Sequence, residues 1–404
     1  MVDMLAFDDG RCRVHVGHVL EELAALPADS VHCVVTSPPY WGLRDYKGLP
    51  DFTWGGEPAC AHEWAAEPRI RTGGPHGNGV MLAGGRAVVE AQAAVKDRGA
   101  GAFCACGAWR GQLGLEPTPD IYVAHMVEVF EAVRRVLRPD GTCWLNLGDC
   151  YATGAGKVGD RPGGGDQGDR ARGIAVMTQP NRMPIPGLKP KDLVGIPWRV
   201  AFALQAAGWW LRSDIVWAKP NPMPESVTDR PTRSHEYLFL LAKSERYYYD
   251  AEAIKEPTRW PDGPNAPDKI KSPYGQGFTR RADKQADTGL ADPGGPDMTK
   301  VGFNDRWNEA KADGSAPTGR NKRSVWTIST APYPEAHFAT FPPDLVRPCV
   351  LAGTAAEGIV LDPFLGSGTT LEVAASLGRR GVGIEGNPTY LPLIEKRLQQ
   401  GVLL

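Results

Sequence analysis

Long apolar runs are absent from this 404-residue sequence, and its charge is nearly balanced. No stretch approaches the roughly 18–20 apolar residues that cross a bilayer, and the first residues lack the basic and apolar regions of a signal peptide. We therefore expect a cytoplasmic protein. Because the formal net charge is only −2, binding to nucleic acid would depend on a local basic surface rather than on the charge of the whole chain.

Cysteines are few as well, eight in all, and several lie in apolar stretches, as Cys33, Cys143 and Cys349 do. That placement is typical of reduced core thiols rather than of a secreted disulfide framework. Four further metal-binding side chains lie in a Gly-rich region: Cys60, His62, Cys104 and Cys106. They form a Cys₃His set that suits a structural zinc. One residue separates the members of each pair where two are usual, so zinc and free thiols both remain open.

A glycine-rich turn follows a predicted buried strand at 358–361. Residues 362–370 read Asp-Pro-Phe-Leu-Gly-Ser-Gly-Thr-Thr, and the next predicted strand ends at Glu385. Ligands bind such units beyond the carboxyl ends of the strands. The third glycine of a dinucleotide site is missing, and Asp362 would repel a pyrophosphate but attract an ammonium group. With Glu385 placed to accept ribose hydroxyls, the pattern predicts a site for S-adenosylmethionine; the alternative is a generic tight turn.

A second motif, Thr-Ser-Pro-Pro-Tyr at residues 36–40, follows a predicted strand at 31–35. The two prolines stiffen the loop and remove two N–H donors. The Ser37 hydroxyl and the Pro38 carbonyl can accept the two hydrogens of an exocyclic amine, and Tyr40 can stack on the base. A base in a duplex must be flipped out to reach such a loop. The alternative is a Pro-Pro turn that ends in a core aromatic.

Strands and helices alternate along the chain, which predicts an α/β fold with a doubly wound parallel sheet. Within it we predict a strand pair at 237–241 and 247–249. Three regions with little periodicity interrupt the pattern. They are an insertion at 44–114, a mobile Gly-rich loop at 152–186 and a target-recognition insert at 251–324. The basic residues predicted to contact DNA are Arg161, Arg170, Arg172, Arg182, Arg280, Arg281, Lys322 and Arg323.

The two motifs together resemble the β-type amino-methyltransferases of DNA, in which the catalytic loop precedes the cofactor site. The resemblance implies one circularly permuted domain over residues 1–404, with a Rossmann-like, mostly parallel sheet of seven strands and helices on both faces. It implies S-adenosylmethionine as methyl donor, double-stranded DNA as partner and a cognate restriction endonuclease as companion. Ser-Pro-Pro-Tyr, in place of Asp-Pro-Pro-Tyr, resembles the cytosine-N4 branch.

The resemblance also assigns site residues. The catalytic residues are Ser37, Pro38, Pro39 and Tyr40. The cofactor-binding residues are His18, Thr36, Phe338, Phe341, Asp362, Phe364, Gly366, Ser367, Gly368, Thr369 and Glu385. His18 stands where the family usually has an acid near the cofactor adenine. Amine methylation needs no metal, so a zinc at the Cys₃His set would be structural.

Other activities remain open. Adenine-N6 methylation uses the same architecture, and RNA methylation, protein glutamine methylation and non-catalytic DNA binding are further alternatives. Methylation of cytosine C5 is disfavoured because it needs a cysteine nucleophile, typically in a Pro-Cys-Gln loop. The Pro348-Cys349 pair of this chain lies instead in an apolar helical stretch, where a core thiol is expected.

Overall fold

The computed structural model describes residues 5–43, 46, 48–64, 102–152, 185, 187–257, 319–330 and 341–401. The chain divides into two compact units, Met1–Ala253 with Arg323–Leu404, and Ile254–Lys322. The main sheet and the cavity described below both belong to the first unit. Most of the predicted loop at 152–186 and of the predicted recognition insert at 251–324 lies outside the described residues. So do six of the eight predicted DNA-contacting residues, all except Lys322 and Arg323.

Twelve strands are present in the described residues. In chain order they are β1 (Leu5–Asp8), β2 (Cys12–Val16), β3 (Val31–Thr36), β4 (Phe52–Trp54), β5 (Ala102–Phe103), β6 (Trp109–Gly111), β7 (Leu137–Leu147), β8 (Trp210–Ala218), β9 (His235–Ala242), β10 (Val325–Thr327), β11 (Ile359–Asp362) and β12 (Arg380–Glu385). Nine form one sheet in the order β1-β2-β12-β11-β3-β7-β9-β8-β10, and three form a small antiparallel sheet, β4-β6-β5.

The large sheet is mostly parallel, as predicted. β2, β12, β11, β3 and β7 run in one direction, and β9 runs antiparallel to both of its neighbours. The predicted count of seven strands was wrong because two short edge strands, β1 and β10, extend the sheet. Neither carries a buried apolar run that the sequence could reveal, since Leu5 is 41% exposed and Val325 57% exposed.

Six α-helices accompany these strands in the described ranges: α1 (Val19–Ala25), α2 (Pro119–Val136), α3 (Ile196–Ala206), α4 (Pro343–Gly353), α5 (Thr369–Ser376) and α6 (Leu391–Gly401). Short 3₁₀ turns occupy Glu252–Ile254 and Pro388–Tyr390. None of the described helices combines the length and the apolar character that spanning a membrane requires.

Helix α2 illustrates how the sequence fixes an element. The Thr118 hydroxyl caps the helix by accepting the Ile121 N–H, and proline at the first position suits a helix start. Tyr122, Met126 and Phe130 are spaced by four residues and are fully buried. The stripe therefore faces the sheet, which is the ordinary arrangement of an amphipathic helix in an α/β fold.

Alternating residues of β7 pack helices on both faces of the sheet. Cys143 and Leu145 belong to the core cluster that contains the buried stripe of α2. On the other face, a Cβ added to Gly353 of α4 would lie 2.8 Å from Thr142 and 3.0 Å from Trp144. The predicted fold class, with helix layers on both faces, is confirmed.

The predicted strand at 247–249 was wrong. Strand β9 lies between β7 and β8 in the sheet. Strand β8 pairs with it from Trp210 opposite Ala242 to Ala218 opposite His235. Tyr249 instead stacks on Trp144 with ring centroids 6.4 Å apart. The three tyrosines have high strand propensity, but the place beside β9 is taken by the longer strand.

Candidate active site

A cavity of about 900 Å³ opens where the parallel strands end, and both motifs line it. The predicted residues in its wall are His18, Ser37, Pro38, Pro39, Tyr40, Phe341, Phe364, Gly366, Ser367, Thr369 and Glu385. Thr36, Asp362 and Gly368 are not among the lining residues, and Phe338 lies outside the described residues. The sheet brings the motifs together because β3 and β11 are parallel neighbours.

Asp362 joins the two motifs. Its carboxylate is fully buried and accepts hydrogen bonds from the Thr36 hydroxyl at 2.7 Å, the Thr370 hydroxyl at 2.6 Å and the Phe364 N–H at 3.1 Å. Burial raises the pKa of Asp362 to about 6. The carboxylate therefore fastens the Thr36 end of the catalytic loop to the glycine-rich turn, rather than facing the cavity as the sequence suggested.

Glu385 ends β12 and does face the cavity. One carboxylate oxygen accepts the Gly366 N–H at 2.7 Å and the other accepts the Asn387 N–H at 2.7 Å. Burial raises the pKa of Glu385 to about 7. The Gly386 N–H also interacts with this carboxylate. The carboxylate is thus held in place by backbone and, with about four acceptor sites, can still accept a hydroxyl group of a ligand.

His18 lies at the same end of the cavity, in an aromatic cluster. Its ring stacks on Phe52 at 4.7 Å between centroids and meets Trp54 edge-on at 4.6 Å. Burial, with a smaller contribution from His125, lowers the pKa of His18 to about 4. The buried Nε2 atom has no hydrogen-bond partner in the described part of the chain. This neutral aromatic surface suits a flat heterocycle.

The catalytic loop is held by a network of side chains. The Tyr40 hydroxyl lies 2.8 Å from Asn146 Oδ1, 2.8 Å from Glu236 Oε2 and 3.1 Å from the Ser37 hydroxyl. Asn146 donates its amide N–H to the carbonyl of Tyr237 at 3.1 Å, which turns Oδ1 toward Ser37, 3.3 Å away. Asn146 Oδ1 therefore accepts from the hydroxyls of both Ser37 and Tyr40, and these bonds fix the Ser37 oxygen beside Tyr40.

Neighbouring residues fix the position of this loop. The Tyr122 hydroxyl of α2 donates to the Pro39 carbonyl at 2.8 Å. A Cβ added to Gly148 would lie 2.5 Å from Cε2 of Tyr40, so the glycine lets the backbone approach the ring. Burial, followed by the Glu236 charge, raises the pKa of Tyr40 well above its usual value. The phenol is therefore protonated and can donate.

Polar residues of the cavity that were not among the predicted site residues include Asn146, Lys219 and Glu236. The Lys219 ammonium forms an ion pair with Glu236 and lies 4.2 Å above the Trp217 ring. Asn146 could have been found as the polar residue within the apolar run 143–147. The other two meet only because β8 pairs with β9, placing Trp217 opposite Glu236, and no local pattern encodes that register.

The Cys₃His set is brought together as well. Cys60 Sγ lies 3.7 Å from Cys104 Sγ, Cys106 Sγ lies 3.4 Å from His62 Nδ1, and all four donor atoms lie within 4.8 Å of one another. A tetrahedral zinc with Zn–S bonds of about 2.3 Å separates two sulfur ligands by about 3.8 Å. None of these three cysteines forms a disulfide. Donor types and spacing both fit zinc.

Known proteins agree with this architecture. Residues 31–396 match the N6/N4 methyltransferase family, described as DNA methylase. The Type II methyltransferase M.SmaI of Serratia marcescens is 38% identical over 388 residues, 96% of this chain and 90% of that protein. M.Cfr9I of Citrobacter freundii is 38% identical over 383 residues, 95% of this chain and 86% of that protein.

A solved structure shares the fold. It is the PvuII DNA methyltransferase (cytosine-N4-specific), with a TM-score of 0.50 and 15% sequence identity, over 98% of this chain and 89% of that one. The chain thus has the fold of S-adenosylmethionine-dependent methyltransferases, as predicted.

Proposed function

The chain belongs to the N6/N4 family of DNA methylases, and we propose that it transfers a methyl group from S-adenosylmethionine to the N4 amine of cytosine in double-stranded DNA. One observation carries the proposal. The loop at Ser37, which can bind an amine, and the turn at Gly366 line a single cavity. The hydrogen bond from Thr36 to Asp362 connects this loop to this turn.

The residues at one end of the cavity fit the cofactor. Bound S-adenosylmethionine would supply an electrophilic methyl group on a sulfonium centre. Glu385 faces the cavity, where its carboxylate can accept a ribose hydroxyl, and His18 presents a neutral aromatic surface for adenine. Gly366, with a φ of 56°, allows the backbone to approach the ligand closely.

The residues at the other end fit an amine. The Ser37 hydroxyl oxygen and the Pro38 carbonyl can accept the two amine hydrogens, which directs the nitrogen lone pair toward the methyl group. When the new N–C bond forms, the nitrogen becomes cationic and acidic, and its proton is then easily lost to water. Neither a strong base nor a covalent enzyme–base intermediate is needed. No cysteine in the described part of the chain lines the cavity.

The choice of cytosine over adenine rests on Ser37, which matches the Ser-Pro-Pro-Tyr branch. The test is to methylate DNA with purified protein, digest it and identify the nucleoside by chromatography and mass spectrometry. We expect N4-methylcytosine. Detection of N6-methyladenine would change the proposed target base to adenine but leave the proposed mechanism intact. Detection of 5-methylcytosine would overturn the mechanism.

The relatives support the proposed partners. M.SmaI and M.Cfr9I are named Type II methyltransferases, and we extend that role to this chain, with a cognate restriction endonuclease as companion. Sequencing of DNA from cells that express the chain, with detection of modified bases, would give the recognition site. A duplex carrying a fluorescent base analogue at the target would report base flipping.

Domain organisation and metal complete the proposal. The catalytic strand β3 precedes β11 in the chain but lies beside it in the sheet, which supports a circularly permuted domain.

We further propose that Cys60, His62, Cys104 and Cys106 hold a structural zinc, because their donor atoms already lie at the spacing of tetrahedral ligands.

A further inference from the structure

The small sheet β4-β6-β5 connects the Cys₃His set to the cavity. Strands β4 and β6 have three residues each and β5 has two. A sheet of this size is not stable alone. Cys60 and His62 follow β4, while Cys104 and Cys106 lie in the turn from β5 to β6. A metal bound by all four would therefore link the segment after β4 to the β5–β6 turn, at one end of the small sheet.

One side of the small sheet packs on α2. Trp54 of β4 and Trp109 of β6 both stack on His125, with centroids 5.5 Å and 5.6 Å away and interplanar angles of 27° and 22°. His125 Nδ1 lies 3.0 Å from Glu116 Oε1, and this carboxylate is fully buried. The tryptophans thereby anchor the small sheet to the methyltransferase core.

The same strands reach the cofactor end of the cavity. Phe52 stacks on His18, Trp54 meets His18 edge-on, and all three side chains line the cavity. A Cβ added to Gly386 would lie 2.7 Å from Leu49 Cδ1 and 3.3 Å from Phe52 Cε2. The segment leading into β4 is thus packed directly against the turn that follows Glu385.

We infer that metal binding at the Cys₃His set controls affinity for the cofactor, because the metal-linked sheet carries Phe52 and Trp54 into the wall that receives adenine. The inference rests on the proposed function, in which this end binds S-adenosylmethionine. Without metal the small sheet loses its cross-link, and the two aromatic rings are then held without it, by their packing on His18 and His125. The strands of the main sheet and the glycine-rich turn are separate elements that contain none of the four ligands.

The test uses full-length protein, with metal analysis and calorimetric titration of S-adenosylmethionine before chelation, after chelation and after zinc is restored. We expect about one equivalent of zinc in fresh protein. Removing it should weaken cofactor binding about ten-fold, and zinc, but not magnesium, should restore it. Near-ultraviolet circular dichroism should change in parallel, since Trp54 and Trp109 lie in the small sheet.

Variants distinguish the effect of the metal from the effect of the aromatic rings in the cavity wall. Cys104→Ser with Cys106→Ser should lose both metal and cofactor affinity, whereas Ala105→Ser, an exposed position between the two ligands, should keep both. Phe52→Ala should keep the metal and lose affinity, which tests the wall even where the cysteine variant folds poorly.

Three outcomes would overturn the inference. Equal affinity with and without metal would do so while leaving the proposed function intact. Fresh protein without zinc that also takes up none would do the same. Zinc-loaded wild type that binds no S-adenosylmethionine would overturn the proposed function and this inference together.

Discussion

The two ends of the cavity are held by different kinds of hydrogen bond, from the backbone at one end and from side chains at the other. At the cofactor end, Glu385 is held by the backbone N–H groups of Gly366 and Asn387, which lie 19 and 2 residues away along the chain. At the target end, Tyr40 is held by the side chains of Asn146 and Glu236, which come from strands 106 and 196 residues away. One end depends on local backbone conformation and the other on the pairing of distant strands.

This difference predicts different sensitivities. Backbone strain at the glycine-rich turn should damage the cofactor end, while exchange of the side chains around Tyr40 should damage the target end and leave cofactor affinity unchanged. Asp362 belongs to both ends, because its carboxylate is bonded to Thr36 on one side and to Thr370 on the other. Variants at the two ends that leave Asp362 intact should therefore separate binding of S-adenosylmethionine from methylation.

The largest effect is expected for Gly366→Val. The residue has a φ of 56° and lines the cavity, so a branched side chain would both strain the turn and occupy ligand space. Backbone strain of this kind predicts a loss of cofactor affinity of about 100-fold, measured by calorimetry. Gly378→Val is the matched control, because Gly378 has a φ of 73° but lies away from the cavity, with nothing within 4 Å of an added Cβ. Equal loss in both variants would contradict a direct role for the turn.

Tyr40→Ala should reduce kcat/KM for DNA methylation by about 10- to 100-fold, the usual contribution of stacking a base on an aromatic ring. The dissociation constant for S-adenosylmethionine should stay within about two-fold, since Tyr40 belongs to the target end. Tyr40→Phe keeps the ring and removes the bonds to Asn146 and Glu236, so its loss should be smaller. If Phe and Ala were equally damaging, the hydroxyl network rather than stacking would be the main contribution.

The contrast also explains what could be predicted from the sequence. The cofactor end was predictable because Asp362, Gly366 and Glu385 lie in one strand–turn–helix–strand unit whose pattern is local. At the target end only the loop itself was predictable. Glu236 lies near Tyr40 because its strand, β9, pairs with β7 and β8, and these pairings join distant parts of the chain. The contact of Phe52 with His18 was hidden in an insertion with little periodicity. Long-range pairing is specified by the whole sheet, which no short window of sequence contains.

A pH profile would sharpen the description of the cofactor end. Burial raises the pKa of Glu385 to about 7, so the carboxylate becomes ionised, and a better acceptor for hydroxyls, as the pH rises through 7. Affinity for S-adenosylmethionine should therefore increase about ten-fold from pH 6 to pH 8, following the ionised fraction. The Glu385→Gln variant should bind S-adenosylmethionine weakly, and its affinity should change little with pH. A profile of unchanged slope in that variant would assign the titration to another group.

The smallest effect is expected for Glu236→Gln, which keeps an oxygen for the Tyr40 hydroxyl but removes the charge. Glu236 is 2.8 Å from that hydroxyl, and its side chain is 17% exposed and paired with Lys219. Its negative charge should favour the cation that develops on the target nitrogen, yet the lysine and nearby water reduce this to about 1 kcal/mol, or about five-fold in kcat. Cofactor affinity should not change.

Glu225→Gln is the matched control for Glu236→Gln, because Glu225 also lines the cavity but pairs with Arg230 at 2.7 Å. Single-turnover rates with saturating DNA would isolate the methyl-transfer step. An equal fall in both variants would mean that the general negative charge of the cavity matters, not its position behind Tyr40. A fall in the Glu236 variant alone would place the electrostatic contribution at the target end, where the side-chain network, rather than the backbone, determines the chemistry.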